Sequence, residues 1–346
     1  MTQSPIQNRW AFLVGINAFV DPQFKRLNFC VNDVKALQGM LEQLDYTVVA
    51  LHDEQTSDRL HPTRENVEAE LLQLCQRMSP QDLLFVHFAC HGKLIGGEPI
   101  LVLRDSRAAL LSQPEKRLSV QQVRQMMRNS GASRLFLSLD ACHTGVDMGR
   151  GDDDPEFIRN VYELAEGFVV MAGSTAQQQA LEMQSVQHGV YTYYLLQALA
   201  GQADRTKKSF VSVEDVASYV TDQLKRWGAK TGLVQEPTIE KAGMGDMILA
   251  DWRDRTPPVV TDAAPQPSGA ARRRDSQPGL SLSQQRQADK RKALQDEWNL
   301  RMEKLSYLRQ ADAIETGAEV KFQLGKQIQA EESALQDLER QLSLLE

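Results

Sequence analysis

Two residues in this sequence have the types and settings needed to attack a carbonyl carbon. Cys142 lies in the run Ser138-Leu-Asp-Ala-Cys-His-Thr-Gly145, whose small members let the backbone approach a scissile bond. A thiol becomes a strong nucleophile as its thiolate, so it needs an imidazole nearby to take its proton and return it to the leaving amine. His91 is the candidate base, following the apolar run LLFVHFA and Cys90. Gly92 comes next, and its amide, unshielded by a side chain, together with that of Cys142 supplies the pair of donors an oxyanion requires.

For those residues to meet, the chain must bring two distant segments side by side. From Trp10 to about Ala250, short apolar runs rich in β-branched and aromatic residues alternate with amphipathic stretches, the pattern of an α/β domain with a mostly parallel sheet. Strands are predicted at Trp10–Ile16, Tyr46–Leu51, Leu83–Ala89, Ile100–Leu103, Leu135–Leu139 and Gly167–Gly173. Helices are predicted at Val31–Leu44, Thr63–Met78, Ser119–Ser130, Val190–Ala200 and Ser212–Trp227. Parallel sheets carry their chemistry outside the carboxyl ends of the strands, and His91 and Cys142 each follow such an end.

The motifs resemble a known family. FLVGIN from Phe12, the Cys30-Val31-Asn32-Asp33 helix start, FACHG from Phe88, SLDACHTG from Ser138 and HGVYTYYLLQAL from His188 occur in the order seen in caspase-like cysteine peptidases, within them the metacaspases and their prokaryotic relatives. His91 precedes Cys142 by about 50 residues, the caspase interval. The resemblance implies a three-layer α/β/α sandwich with a mostly parallel sheet and a Cys142–His91 dyad. It departs from caspases proper at Asp140-Ala141-Cys142, where those carry Gln-Ala-Cys. In metacaspase-like enzymes an acid there joins the acid of the Cys-x-Asn-Asp motif at the floor of the primary specificity pocket. Those positions are Asp140 and Asp33, with Cys30 lining the pocket. Two carboxylates in a partly buried pocket await a cation, which implies cleavage after Arg or Lys.

The resemblance raises two further expectations. Relatives are often cut between their large and small parts, and a basic specificity would accept Arg150 or Arg159 as self-cleavage sites. Many metacaspases use calcium through acids after the His-bearing hairpin; here that stretch offers Asp105 beside Arg104, with Asp147 and Asp152-Asp153-Asp154 as further oxygen donors and no definite metal site. Other readings were weighed. A zinc module built on Cys90-His91 and Cys142-His143 lacks the ligand spacing of such sites. A scaffold that kept the fold and lost catalysis is the alternative to an enzyme. Cys75, Cys90 and His87 read as core residues.

Composition bounds the rest. A net charge of −7 disfavours nucleic acid as the partner. No apolar run reaches membrane-spanning length, and four cysteines lack CxxC spacing, so a cytoplasmic protein with reduced thiols is expected. The peptidase-like domain is assigned to residues 8–250. Residues 251–283, dense in Pro, Ala, Ser and Gly, read as a flexible linker, its Arg272-Arg273-Arg274 cluster as solvated charge. Residues 284–346 read as a coiled-coil-like helical hairpin, with Leu324, Ile328, Leu335, Leu338, Leu342 and Leu345 as an apolar stripe that docks on a sensor, an adaptor or a second copy. The segment from Lys304 to Gln329 also resembles small effector-associated modules of prokaryotic conflict and cell-death proteins, implying a role in regulated proteolysis or antiviral defence.

Overall fold

The computed structural model describes residues 6–143, 169–172, 182–183, 185–231, 238–241, 247–253, 256–257, single positions between 291 and 312, and 318–343. Two compact units are present, the larger built mainly from residues up to 263 and the smaller mainly from Ala264–Glu346.

In the larger unit the strands are β1 (Arg9–Gly15), β2 (Tyr46–His52), β3 (Leu83–Ile95), β4 (Glu98–Val102), β5 (Leu118–Ser119), β6 (Arg134–His143), β7 (Val169–Ala172) and β8 (Thr238–Lys241). They form one sheet in the order β8-β7-β6-β3-β1-β2, with β4 pairing β3 and β5 pairing β4. The ladders among β7, β6, β3, β1 and β2 are parallel, while β4 and β8 run antiparallel to their neighbours. The helices are α1 (Cys30–Gln43), α2 (Arg64–Cys75), α3 (Val120–Arg128), α4 (Val190–Gln197) and α5 (Val213–Thr231).

Strand alternation sorts the core into two faces. Val86, Phe88 and Cys90 of β3 and Leu137, Leu139 and Ala141 of β6 join Val67, Leu71 and Leu74 of α2 and Val120, Val123 and Met127 of α3 in one apolar cluster. The intervening residues, among them Phe85, His87, Ser138 and Asp140, meet the opposite layer, where Tyr191 and Thr192 of α4 reach Ser138 and Asp140. This is the expected three-layer sandwich.

Two predicted strands are longer than the sequence pattern suggests. β3 continues through His91 to Ile95 and β6 through Cys142 to His143. The added residues are polar or small, so hydrophobic patterning does not register them; pairing with β4 and with each other carries the strands onward.

Glycine is required at Gly15, where β1 passes under α1. A Cβ there would stand 2.5 Å from the Cys30 carbonyl oxygen and 2.8 Å from Val34 Cγ2. The Gly15→Ala variant should therefore lose about 1–3 kcal/mol of unfolding free energy in urea titrations, because backbone as well as side chain must retreat.

The smaller unit contains α6 (Ala318–Ser343), preceded by helical residues between 291 and 312. Trp298 donates to Glu339, Arg301 and Lys304 pair with Glu331, and Arg309 pairs with Glu332, so the two arms run antiparallel. The stripe expected to face a partner is not an open surface. Leu335 and Leu338 are buried together with Leu305 and Leu308, and Leu324, Ile328 and Leu342 are half-buried; Leu345 lies outside the described residues. Arms tied across by ion pairs face each other, and the leucines between them leave water first. Leu335→Glu should accordingly cost about 2 kcal/mol or more through burial of an unpaired charge, read as lost hydrogen-exchange protection across residues 318–343.

Candidate active site

The central geometry is a register. In the parallel ladder of β3 and β6, Ala89 pairs with Asp140, Cys90 with Ala141, His91 with Cys142 and Gly92 with His143. Neighbouring strands lie about 4.8 Å apart, so the backbones of His91 and Cys142 are adjacent. Gly92 also faces Leu101 of β4.

His91 is fully buried and held on two sides. Its Nε2 lies 2.6 Å from the Lys25 carbonyl oxygen. A carbonyl only accepts, so Nε2 carries the proton and Nδ1 keeps its lone pair. Phe19 stacks on the ring with centroids 4.8 Å apart. Among the described residues Nδ1 has no hydrogen-bond partner. Burial pushes the imidazole down to about 4, only partly opposed by the bond to Lys25. The ring is thus a neutral base with a fixed tautomer.

The two predicted pocket acids also meet. Asp33, in the first turn of α1, and Asp140, on β6, are both buried. His188 Nδ1 donates to Asp33 Oδ1 at 2.7 Å, the Gly189 amide reaches both Asp33 oxygens at 3.2 Å, and Thr192 Oγ1 donates to Asp140 Oδ2 at 2.6 Å. Gly189 separates the carboxylates: a Cβ on it would stand 2.7 Å from Asp140 Oδ2 and 3.1 Å from Asp33 Oδ2. Burial pushes Asp33 up to about 7 against the His188 bond, with Asp140 adding repulsion. Burial likewise pushes Asp140 up to about 6 against the Thr192 bonds. Cys30 is buried beside them, its thiol driven upward by burial and then by Asp33 and Asp140.

Several contributors escaped the sequence reading. His188, Gly189 and Thr192 belong to a motif that was noticed but given no role; the run His188-Gly189-x-x-Thr192 at a helix start was the available signal. Glu182 belongs to no motif in the sequence. Its carboxylate accepts from the amides of Asn28 and Phe29 and from the Asn28 side chain, fixing the chain just ahead of α1. The Lys25 contribution is a backbone carbonyl, which no residue type announces.

Other expectations fall as follows. Cys30, Cys75 and Cys90 are free thiols, and burial raises all three. His87 is a buried core residue bonded to Ser138 Oγ at 2.9 Å. Asp105 accepts from the Arg64 amide. Among the described residues no cluster of His, Cys, Asp and Glu is arranged to hold a metal ion, and no helix is long and apolar enough to cross a membrane. Arg150, Arg159, Asp147 and Asp152-Asp153-Asp154 lie outside the described residues.

Comparison with known proteins agrees with the fold. Residues 8–247 match the family described as Caspase domain. Metacaspase-1 of Mycosarcoma maydis is 33% identical over 153 residues, covering 40% of this chain and 36% of that protein. Metacaspase-1A of Aspergillus niger is 30% identical over 152 residues, again 40% and 36%. Metacaspase-1A of Neurospora crassa is 36% identical over 88 residues, 24% and 19%. The match thus spans little more than a third of these relatives' own length, or less.

The pocket acids make a signed prediction. A carboxyl raised in the folded state contributes stability that is present at low pH and is lost as pH rises through its folded value, here about 7 for Asp33. Asp33→Asn removes that loss. The variant should be more stable than wild type by about 1–3 kcal/mol at pH 8, and the difference should shrink toward zero as pH falls to the unfolded carboxyl value of 3.8, measured by denaturant unfolding at both values.

Proposed function

We infer the activity from one premise: this chain belongs to the caspase-domain family. On it we propose a cysteine endopeptidase that hydrolyses peptide bonds after Arg or Lys, with Cys142 as nucleophile and His91 as base. The observation that carries the reading is the β3–β6 register, which pairs His91, a histidine with a fixed tautomer, with Cys142.

The steps follow from general chemistry. Nδ1 of His91 takes the thiol proton as sulfur attacks the scissile carbonyl carbon. The new oxyanion is met by the amides assigned to it, those of Gly92 and Cys142. The carbon–nitrogen bond then breaks as the imidazolium gives its proton to the leaving amine, and water, deprotonated by the same ring, hydrolyses the thioester. An imidazolium in so buried a setting is costly alone. It is sustained beside the thiolate, which ties proton transfer to bond formation.

Specificity is supported by the acids. Asp33 and Asp140 converge on Gly189, which has no side chain to stand between them. A guanidinium or ammonium group there would draw both carboxyls into their charged forms through charge-assisted hydrogen bonds. An aspartate at the same position would meet like charge in a desolvated site. The helical unit is read as the recruiting element, bound to a sensor or adaptor in regulated proteolysis, and calcium as a candidate activator.

Cys142→Ala and His91→Ala should each lower peptide cleavage by about a thousandfold or more. Profiling of a peptide library, with and without calcium, should give cleavage after Arg and Lys and none after Asp. Near-wild-type turnover in either variant would remove the dyad, and cleavage after Asp would remove the pocket assignment. A wild-type protein that is folded yet inert toward the whole library would instead be a scaffold.

A further inference from the structure

We propose that His188 is a specificity-determining residue: by donating to Asp33 it holds the pocket in the charged form that accepts an arginine and refuses its neutral isostere. The inference deepens the Arg/Lys reading above and rests on it.

Asp33 comes from α1, Asp140 from β6, and Glu182 lies close enough to act on Asp140 and Cys30. Cys30 and Cys90 complete the neighbours that respond to these acids, and neither thiol supplies positive charge. From α4, Thr192 offers Asp140 a neutral donor and Tyr193 presents its ring to His188. Among these described residues His188 is the one basic side chain, and its Nδ1 is given to one oxygen of one acid. Its Nδ1 is committed to Asp33 Oδ1, while the Gly189 amide reaches both Asp33 oxygens at 3.2 Å. Oδ1 thus takes two donors and Oδ2 one, which leaves Oδ2 the more acceptor capacity for a donor of a guanidinium.

The placement of His188 is itself enforced. Gln187, just before it, has φ +56°, a left-handed conformation that non-glycine residues adopt at a cost and that surrounding structure must impose. Asn32 of α1 holds the Gln187 carbonyl at 3.3 Å, one residue from Asp33. The same turn of α1 therefore grips both the donor and the acceptor of the His188–Asp33 bond. A histidine serving only to fill space would need neither the strained turn nor the aligned nitrogen.

The experiment compares peptides carrying arginine or citrulline before the scissile bond, which share a shape and differ in charge. The ratio of their kcat/KM values is measured from pH 5 to 9 for wild type, His188→Asn and His188→Leu, each checked for folding by circular dichroism. In wild type the arginine preference should be full at pH 8 and fade as pH falls, when the carboxyls take up protons. His188→Leu should move the half-point of that fade upward by about one pH unit and cut the preference at pH 7 by about tenfold. His188→Asn keeps a donor at the Nδ1 position and should fall between. If the leucine variant does not fold, the asparagine variant decides alone, supported by calorimetric binding of agmatine to Cys142→Ala with and without the His188 change. An unmoved half-point in the folded variants overturns the role given to His188. A wild type that shows no arginine preference at pH 8 overturns the specificity reading, and the inference with it.

Discussion

Everything at this site depends on the parallel ladder between β3 and β6. Side chains of register partners in parallel strands fall on the same face, so a single alignment sets Phe85 against Phe136, His87 against Ser138 and Ala89 against Asp140, and it brings the backbones of residues 91 and 142 side by side. A slip of one residue would exchange faces, sending His87, Ser138 and Asp140 into the apolar layer with α2 and α3 and Val86, Leu137 and Leu139 toward the polar one. The cost of burying those polar groups without partners, about 1–3 kcal/mol each, makes the register steep. Catalytic alignment is thus fixed by the same hydrophobic sorting that folds the domain.

The polar face carries a standing electrostatic burden. Two buried carboxyls, held near 7 and 6, lose stability as pH rises, while a histidine held near 4 gives the opposite slope. For His91 the unfolded state binds the proton more tightly, so stability falls as pH drops from about 6.5 toward 4. His87, pushed by burial down to about 3, adds to that limb. Both slopes fall between about pH 4 and 7 and run against each other, set by groups that a purely structural core would not contain. Such a cost persists where the groups have work to do on a ligand.

Sequence reading recovered the fold because its core strands are buried and continuous and its helices amphipathic; β1, β2, α1 and α2 lie within a few residues of their expected bounds. It stopped short at the ends of β3 and β6, where Cys90-His91-Gly92 and Cys142-His143 have no apolar period to follow. The candidate dyad and the pocket acids were legible through motif and order along the chain. The groups that hold them were not. A backbone carbonyl at Lys25, a glycine wanted for the side chain it lacks at position 189, and a carboxylate at Glu182 satisfying amides of Asn28 and Phe29 owe their meaning to three-dimensional proximity. In the C-terminal unit the stripe was legible and its use was not, since periodicity tells which face is apolar and not what covers it.

One loop joins the two halves of the chemistry. Between β1 and α1, Asn17 receives the Leu27 amide on its carbonyl, donates its side chain to the Asn28 carbonyl and accepts the Val31 amide. Asp53 at the end of β2 grips the amides of Asn17 and Ala18 from the other side. Within this cross-linked segment lie Phe19, stacked on His91, and Lys25, whose carbonyl sets the His91 tautomer. Its far end is the start of α1, where Glu182 satisfies backbone donors that the helix leaves without partners, four residues before Asp33. Orientation of the base and position of the pocket acid are consequently properties of one rigid piece of chain. A displacement of that piece by a misplaced substrate side chain would move His91 and Asp33 together. The orientation of His91 and the position of Asp33 are for that reason linked through one continuous stretch of chain.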